Sequence, residues 1–170
     1  KTFTINMKNK IVTITGATSG IGWATALAFK KIGAKLIICG RRDEKLRKLC
    51  GILGNNTQIL KFDVRDKKAV FEAFNSLPES WKNIEILINN AGNAHGLDPV
   101  QSASIDDWDA MIDSNVKGLM YVTKAVLPKM IMSKKGHIIN LGSIAGKEVY
   151  PNGNVYCSSK AAVDFFTLSQ

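Results

Sequence analysis

A glycine-rich turn between a short apolar run and a helical pattern is the feature that most constrains how this chain can fold. The residues of the turn, which follow the run Ile11 to Thr15, are Gly16, Ala17, Thr18, Ser19, Gly20, Ile21 and Gly22. Apolar residues then recur at the spacing of a helix as far as Ile32. Such glycines allow a tight turn, a close approach of the backbone to a ligand, and close packing of helix on strand.

The same turn favours an anion site. The N-terminus of a helix presents N–H groups that lack intrahelical acceptors, and these groups bind phosphate. The glycine spacing is GxxxGxG rather than the GxGxxG of the common dinucleotide fingerprint, and a glycine-rich turn can also be purely structural. Because this turn joins a predicted strand to a predicted helix, we expect it to bind the phosphates of a nucleotide.

Four further apolar runs predict buried strands, since each is short and contains few polar residues. They are Lys35 to Cys39, Gln58 to Phe62, Ile84 to Asn89 and His137 to Leu141. Segments with helical spacing separate them, such as the one that follows the predicted N-cap Asp66 and ends by Pro78. This alternation predicts a doubly wound α/β fold, in which helices cover both faces of a Rossmann-like parallel sheet.

The longest helical pattern extends from Ile105 to Met132. Ser104 and Asp107 form a capping-box signal at its start, and Pro128 is expected to kink the helix or end it early. Asn115 interrupts the apolar face of this helix, where an amide without hydrogen-bond partners would be costly. One interpretation is that Asn115 binds backbone groups around a distortion of the helix.

Composition and charge exclude several classes of protein. No window reaches the roughly 18 consecutive apolar residues of a membrane span, and the first residues lack the apolar stretch of a secretory signal, so we expect a cytoplasmic protein. The formal charge of +9 comes from scattered basic residues without interleaved aromatics, which argues against nucleic acid. The three cysteines lack CxxC spacing, and His95 and His137 have no ligand partners at helical spacing, so we expect no metal site.

Two arginines follow the second predicted strand, at the point where a fold that binds NAD usually has an acidic residue, about 20 positions after the glycines. Arg41 and Arg42 cannot accept a hydrogen bond from a ribose hydroxyl, but guanidinium groups match a 2′-phosphate. We therefore predict NADP(H) as the cofactor. The alternative is that both arginines begin the next helix as exposed charges paired with Asp43 or Glu44.

Further motifs identify a family. The motifs are Asn89-Asn90-Ala91-Gly92, Ser143, and Tyr156-Cys157-Ser158-Ser159-Lys160. Together with TGATSGIG, and in this order, they resemble the short-chain dehydrogenase/reductase family from about Lys10 to the last residue. The stretches GRRDEKL, LPESWKNIEILINNAG, DWDAMIDSNVKGL and GNVYCSSKA are similar to the NADP-dependent 3-hydroxy acid dehydrogenases that also oxidise serine and allo-threonine.

The resemblance implies a catalytic set. Tyr156 would be the general acid or base at the substrate oxygen. A free tyrosine has a pKa near ~10, so a nearby cation is needed to favour the phenolate, and Lys160 lies on the same helical face at i+4. Ser143 would bind the substrate oxygen, and Asn115 would hold a water beside Lys160. A Tyr–Lys pair alone is common on helix surfaces, and Ser143 read alone is a turn serine.

The resemblance also assigns positions around the cofactor. Asp63 and Val64 match the family residues that meet the adenine, and Asn90 matches the residue beside the cofactor. Lys160 would additionally donate to the nicotinamide ribose. Phe165, Phe166 and Leu168 are interpreted as packing residues, because members of this family assemble as dimers or tetramers through this helix.

The expected activity is hydride transfer between NADP(H) and a small 3-hydroxy or 3-oxo acid of the serine or allo-threonine type. One alternative is a 3-oxoacyl-thioester (acyl carrier protein) reductase, which shares every motif above. Another alternative is a non-catalytic cofactor-binding fragment. No linker or repeat divides residues 1–170, so we expect one dinucleotide-binding and catalytic domain. Because the chain stops within the helical pattern AAVDFFTLS, we expect it to lack its C-terminal strands.

Overall fold

The computed structural model describes residues 7–170, which form a five-stranded parallel sheet covered by helices on both faces. The elements are β1 (Ile11–Ile14), α1 (Gly20–Lys31), β2 (Lys35–Gly40), α2 (Asp43–Leu53), β3 (Thr57–Lys61), α3 (Lys67–Asn75), β4 (Ile86–Asn89), α4 (Ile105–Ile112), α5 (Leu119–Ser133), β5 (His137–Asn140) and α6 (Asn154–Leu168). The five predicted strands are confirmed, with bounds within two residues of the predicted runs.

The buried side chains of the strands point alternately to the two faces of the sheet, so the core has one part on each face. In β1, Ile11 packs with the apolar residues of α3 and α5, whereas Val12 and Ile14 pack with those of α1 and α2. Successive strand side chains point to opposite faces, so a strand such as β1, which is buried at every position, must be covered on both. The predicted doubly wound α/β fold is therefore confirmed.

The order of the strands creates a crevice at one point of the sheet. The sheet order is β3-β2-β1-β4-β5, so the chain first moves outward from β1 to β3 and then returns to place β4 on the other side of β1. The connections that leave β1 and β4 consequently go in opposite directions. Ligands of open α/β sheets bind at such a reversal, at the carboxyl ends of the strands.

The helix predicted from Ile105 to Met132 is interrupted, which corrects the expectation of one continuous helix. A π-helical segment, Asp113–Gly118, separates α4 from α5. Gly118 lies against Val64 so closely that a Cβ there would be 2.7 Å from a methyl carbon of that valine. The expectation that Pro128 ends the helix early is wrong, because α5 continues through it to Ser133. The predicted caps Asp66 and Ser104 are confirmed by side-chain hydrogen bonds to the N–H groups of Ala69 and Asp107.

The last strand and the last helix present apolar side chains to solvent. β5 pairs with β4, and its residues are half-buried or exposed rather than fully buried. On α6, Phe165 and Leu168 are exposed. Among residues 7–170, no helix combines the length and the apolarity that crossing a membrane requires.

Replacement of Ile37 by alanine is expected to lower the free energy of unfolding by about 2–5 kcal/mol, because this side chain is fully buried in β2 and its loss leaves a cavity. The matched variant Ile131→Ala removes an exposed side chain from α5 and should change that free energy by less than about 0.5 kcal/mol. Urea unfolding followed by circular dichroism measures both values. An equal decrease in the free energy of unfolding in the two variants would contradict the burial of Ile37 in a core on this face of the sheet.

Candidate active site

A cleft of about 650 Å³ lies at the carboxyl ends of the strands. Most of the residues predicted from the sequence to be functional line it: Gly16, Thr18, Ser19, Ile21, Arg41, Arg42, Asp63, Val64, Asn90, Ser143, Tyr156 and Lys160. Gly20, Gly22 and Asn115 are not among the lining residues: Gly22 and Asn115 are buried, and Gly20 is exposed. The cleft therefore collects side chains from five different strand ends into one site.

The glycine turn after β1 is held against the segment that follows β4. The Asn90 side-chain amide donates to the Thr15 carbonyl at 2.8 Å and to the Gly16 carbonyl at 3.2 Å. In return, the Thr15 hydroxyl oxygen accepts from the backbone N–H groups of Asn90 and Ala91 at 3.1 and 3.0 Å. These four hydrogen bonds fix the position of the turn relative to the rest of the cleft.

Two glycines of the turn have no room for a side chain. Gly16 has a φ of 64°, and a Cβ there would lie 2.9 Å from the Ala91 Cα. A Cβ at Gly22 would lie 2.4 Å from the Gly16 carbonyl oxygen. Close packing of α1 on β1 therefore requires glycine at both positions, as predicted for a phosphate-binding turn.

The N-terminus of α1 opens into this cleft. Ser19 is its N-cap residue, and within the described part of the chain the Ser19 side chain accepts no hydrogen bond from the first turn of the helix. The first N–H groups of α1 are thus available to an anion. Together with the glycine turn and the neighbouring guanidinium groups, this geometry fits the phosphates of a dinucleotide.

Arg42 is the N-cap residue of α2 and lines the cleft, although it is also exposed to solvent. Its guanidinium group donates to the Thr18 hydroxyl at 2.6 and 3.2 Å and to the Ser19 hydroxyl at 3.0 Å. The alternative is confirmed in that both arginines are exposed at the start of α2, but among the described residues neither pairs with Asp43 or Glu44, and Asp43 pairs with Arg47 at 2.6 Å. Arg42 is therefore held over the glycine turn, where it can meet a phosphate.

Asp63 lies between two guanidinium groups at the end of the cleft. Arg65 binds this carboxylate through Nε and Nη2 at 2.8–3.1 Å, and Arg41 reaches it at 3.3 Å. Partial burial opposes ionisation of Asp63, but the hydrogen bonds and charge of Arg65, assisted by Arg41, hold the pKa of this carboxyl below its ordinary value. Sequence reasoning missed Arg65, although it directly follows the Asp63-Val64 pair.

Tyr156 and Lys160 lie on α6 at the opposite end of the cleft. The Lys160 ammonium donates to the Leu141 carbonyl at 2.8 Å, and this lysine is 8% exposed. Burial lowers the pKa of Lys160, and the nearby Asp164 carboxylate partly opposes that effect. Ser143 lines the same region, and its hydroxyl oxygen accepts from the Ala145 N–H at 3.2 Å. The Ser143 proton remains available for another acceptor.

Asn115 lies in the π-helical segment and binds two other parts of the site. Its side chain accepts from the Asn93 N–H at 2.8 Å and donates to the Asn93 carbonyl at 2.9 Å. It also donates to the Ser159 hydroxyl at 3.0 Å, which in turn donates to the Tyr156 carbonyl at 2.8 Å. The interpretation that Asn115 binds backbone groups around a helix distortion is thus confirmed.

Sequence reasoning missed the other members of this polar network. Ser114 lies within hydrogen-bonding distance of the Asn93 side-chain oxygen, at 2.9 Å, and Ser159 is fully buried beside Tyr156. A Cβ at Gly92 would lie 2.9 Å from Asn115 Oδ1 and 3.8 Å from Lys160 Nζ. Asn115 and Lys160 therefore approach the same point of the loop. The signal that could have revealed Ser159 is its place between Tyr156 and Lys160 on one helical turn.

A second cavity of about 460 Å³ adjoins the cleft. Its lining residues are Ala94, His95, Gly96, Leu97, Met111, Tyr150, Asn152, Gly153, Asn154 and Tyr156. Ala94 and Tyr156 line both cavities. His95, interpreted from the sequence as a loop residue, lies in this second cavity, with Nδ1 at 3.9 Å from the Asp107 carboxylate.

Comparison with known proteins gives consistent relatives. The family model described as short chain dehydrogenase matches residues 10–170. An NADP-dependent 3-hydroxy acid dehydrogenase of Shigella flexneri is 50% identical over 159 residues, and sulfoacetaldehyde reductase 2 of Chromohalobacter salexigens is 47% identical over 162 residues. Among solved structures, the closed form of a serine dehydrogenase complexed with NADP+ superimposes with a TM-score of 0.92 at 50% identity.

The alignments cover most of this chain and a smaller share of its relatives. Each of the three covers 94% of this chain and 64% of the other protein. The chain thus spans less than two thirds of the length of these relatives.

Replacement of Asn115 by alanine is expected to lower the free energy of unfolding by about 1–3 kcal/mol, because the partly buried backbone groups of Asn93 and the buried Ser159 hydroxyl lose their bonds to the Asn115 side chain. Asn55→Ala, at an exposed bend, is the matched control and should change that free energy by less than about 0.5 kcal/mol. Chemical denaturation measures both. If the free energy of unfolding decreases no more in the Asn115 variant than in the control, the network does not hold α6 in place.

Proposed function

Because the chain belongs to the short-chain dehydrogenase family, we propose that the whole protein transfers a hydride between NADP(H) and a small 3-hydroxy or 3-oxo acid. The observation that carries this proposal is the position of Tyr156. Its side chain lines both the cleft that contains the glycine turn and the smaller second cavity. One phenol hydroxyl can therefore serve a substrate in the second cavity beside a cofactor in the first.

The cofactor half of the proposal depends on the cleft. The glycine turn and the N-terminus of α1 would bind the pyrophosphate, and Arg41 and Arg42 would bind the 2′-phosphate that distinguishes NADPH from NADH. Asp63, Val64 and Asn90 line the same cleft. The bound nicotinamide supplies or accepts the hydride, and the residues of this chain supply the proton and the orientation.

Tyr156 is the proposed proton donor and acceptor. In reduction, its hydroxyl proton moves to the substrate carbonyl oxygen as hydride reaches the carbonyl carbon, and in oxidation the phenolate takes the hydroxyl proton back. Lys160 follows four residues later on α6, so the two side chains lie on one face of the helix. The positive charge of Lys160 favours the phenolate, and its bond to the Leu141 carbonyl keeps the ammonium in the cleft.

Ser143 is the proposed orienting residue. Its oxygen already accepts from the Ala145 N–H, so its hydroxyl proton can be donated to the substrate oxygen that Tyr156 protonates. Asn115 supports the site from behind by joining the Asn93 backbone to the helix of Tyr156. A water beside Lys160 would add to this role.

The size and lining of the second cavity support a small substrate. None of its described lining residues is lysine, arginine, aspartate or glutamate, and His95 is the lining residue that can carry a positive charge. Two relatives are named for small anionic compounds, a 3-hydroxy acid and sulfoacetaldehyde. We further propose a homo-oligomer that covers the exposed Phe165 and Leu168 of α6.

Replacement of Tyr156 by phenylalanine is expected to reduce turnover of serine and 3-hydroxypropionate to background, because a phenyl ring cannot donate or accept the proton. The affinity for NADPH should stay within a few-fold, since the ring remains. Tyr121→Phe, on α5 outside both cavities, is the matched control and should keep its activity. NADPH formation in the whole protein, followed by absorbance, gives the rates.

Three results would contradict parts of this proposal. Substantial residual turnover in the Tyr156 variant would require another acid. Faster NADPH consumption with an acetoacetyl thioester than with small 3-oxo acids would identify a thioester reductase. If the parent protein binds NADPH but turns over none of these substrates, the chain is a binding module.

The double variant Arg41→Ala with Arg42→Ala is expected to bind NADPH and NADH with similar affinity, because it removes both guanidinium groups proposed to bind the 2′-phosphate. The parent should bind NADPH at least about tenfold more tightly, which corresponds to about 1.4 kcal/mol. Isothermal titration calorimetry measures both affinities. Arg47→Ala, which removes an exposed arginine of α2, should leave the preference unchanged. Equal affinities in the parent would contradict the NADP(H) assignment.

A further inference from the structure

The end of the cleft that would receive a 2′-phosphate contains a carboxylate as well as guanidinium groups. Arg41, Arg42, Asp63 and Arg65 all line the cleft. Three guanidinium charges and one carboxylate charge sum to +2 at this end. A free Asp63 carboxylate would repel a phosphate dianion, and the arginine that Asp63 binds decides which guanidinium group remains available to a phosphate.

Arg65 and Arg41 bind Asp63 with different numbers of hydrogen bonds. Arg65 donates from Nε to both carboxylate oxygens at 3.1 Å and from Nη2 at 2.8 Å, and its backbone N–H adds a bond of 3.0 Å. Arg41 makes a single contact of 3.3 Å, and its side chain is 63% exposed, against 41% for Arg65. Asp63 therefore already has a close bidentate partner without Arg41.

We propose that Arg65 is a positioning residue that occupies Asp63 and thereby leaves Arg41 available to the 2′-phosphate of the cofactor. This inference rests on the proposed function and names the residue on which its cofactor preference depends. Arg65 acts through Asp63 and Arg41 rather than by touching the phosphate, because its Nε and Nη2 already bind the carboxylate. Arg42 does not need this help, since Thr18 and Ser19 hold it over the glycine turn.

Removal of Arg65 would change the charge and the geometry of this end of the cleft. The sum of charges would fall from +2 to +1, and Asp63 would lose its bidentate partner. Arg41 is already at 3.3 Å and would become the only cation at the carboxylate among the described residues. If Arg41 then binds Asp63 with both of its donor groups, fewer of its N–H groups are left to form charge-assisted bonds with a phosphate.

Two nucleotides that differ by one phosphate isolate this effect. Adenosine 2′,5′-bisphosphate carries the 2′-phosphate and adenosine 5′-monophosphate does not, and neither requires the nicotinamide end of the site. The measured quantity is the ratio of their dissociation constants, obtained by calorimetry for the whole parent protein and each variant. An Asp63 variant is expected to change adenine binding. Because this change affects both nucleotides equally, it cancels in the ratio.

Arg65→Ala is expected to reduce the preference for the bisphosphate about tenfold. Adding Asp63→Asn to that variant should restore most of the preference, because a neutral amide cannot hold Arg41 by charge. Arg65→Lys should retain part of it, since an ammonium group can bind Asp63 but lacks the bidentate fork. Arg47→Ala, an arginine that also binds a carboxylate but lies outside the cleft, should match the parent. Circular dichroism verifies that each variant is folded.

The outcomes separate this inference from the proposed function. A parent that prefers the bisphosphate, with the same preference in Arg65→Ala, overturns the inference and leaves the NADP(H) proposal in place. A loss in Arg65→Ala that Asp63→Asn does not restore also overturns it, because Arg65 would then touch the phosphate directly. A parent without any preference for the bisphosphate overturns both.

Discussion

The hydrogen bonds between the Thr15-Gly16 turn and Asn90 are the interaction on which the rest of the site depends. They join the loops that leave β1 and β4, which are neighbours in the sheet but 74 to 76 positions apart in the chain. The loops diverge at this point because the strand order reverses there. The hydrogen bonds of the Asn90 amide and the Thr15 hydroxyl hold the two loops together at this point of the cleft. Neither loop could make these bonds alone.

A polar network behind the cleft joins the loop after β4 to α6. Asn115 links the Asn93 backbone, which belongs to the loop after β4, to the Ser159 hydroxyl, which belongs to the helix of Tyr156. A regular α-helix through Asp113–Gly118 would aim these side chains differently. The π-helical turn is therefore the local irregularity that lets α4 and α5 contribute polar groups to the site, and such turns are frequent at functional sites.

Charge is distributed along the cleft in a way that matches its proposed ligand. At one end Arg41 and Arg65 bind the Asp63 carboxylate and Arg42 lies over the glycine turn, and at the other end the buried Lys160 supplies a cation beside Tyr156. Between them the glycine turn and the N-terminus of α1 offer backbone N–H groups. A dinucleotide with a 2′-phosphate at one end, a pyrophosphate in the middle and a reactive ring at the other end would meet favourable groups along its length.

Local patterns were enough to predict the elements and the motif residues. Strand and helix periodicity are properties of neighbouring residues, so the five strands, the two-faced core and the i, i+4 relation of Tyr156 and Lys160 could be read from the chain. The ordered motifs predicted twelve residues that do line the cleft. The π-helical segment, where Gly118 packs closely on Val64, and the continuation of α5 through Pro128 could not be read this way, because local propensity does not include contacts with distant residues.

The partners of these residues were decided by the tertiary structure. Arg42 binds Thr18 and Ser19, Arg41 shares Asp63 with Arg65, and Asn115 binds residues 22 and 44 positions away. The second cavity and the place of Tyr156 between two cavities also depend on how α4 and α6 meet. Such contacts follow from strand order and helix packing, which bring distant segments together at distances that no pattern of neighbouring residues encodes.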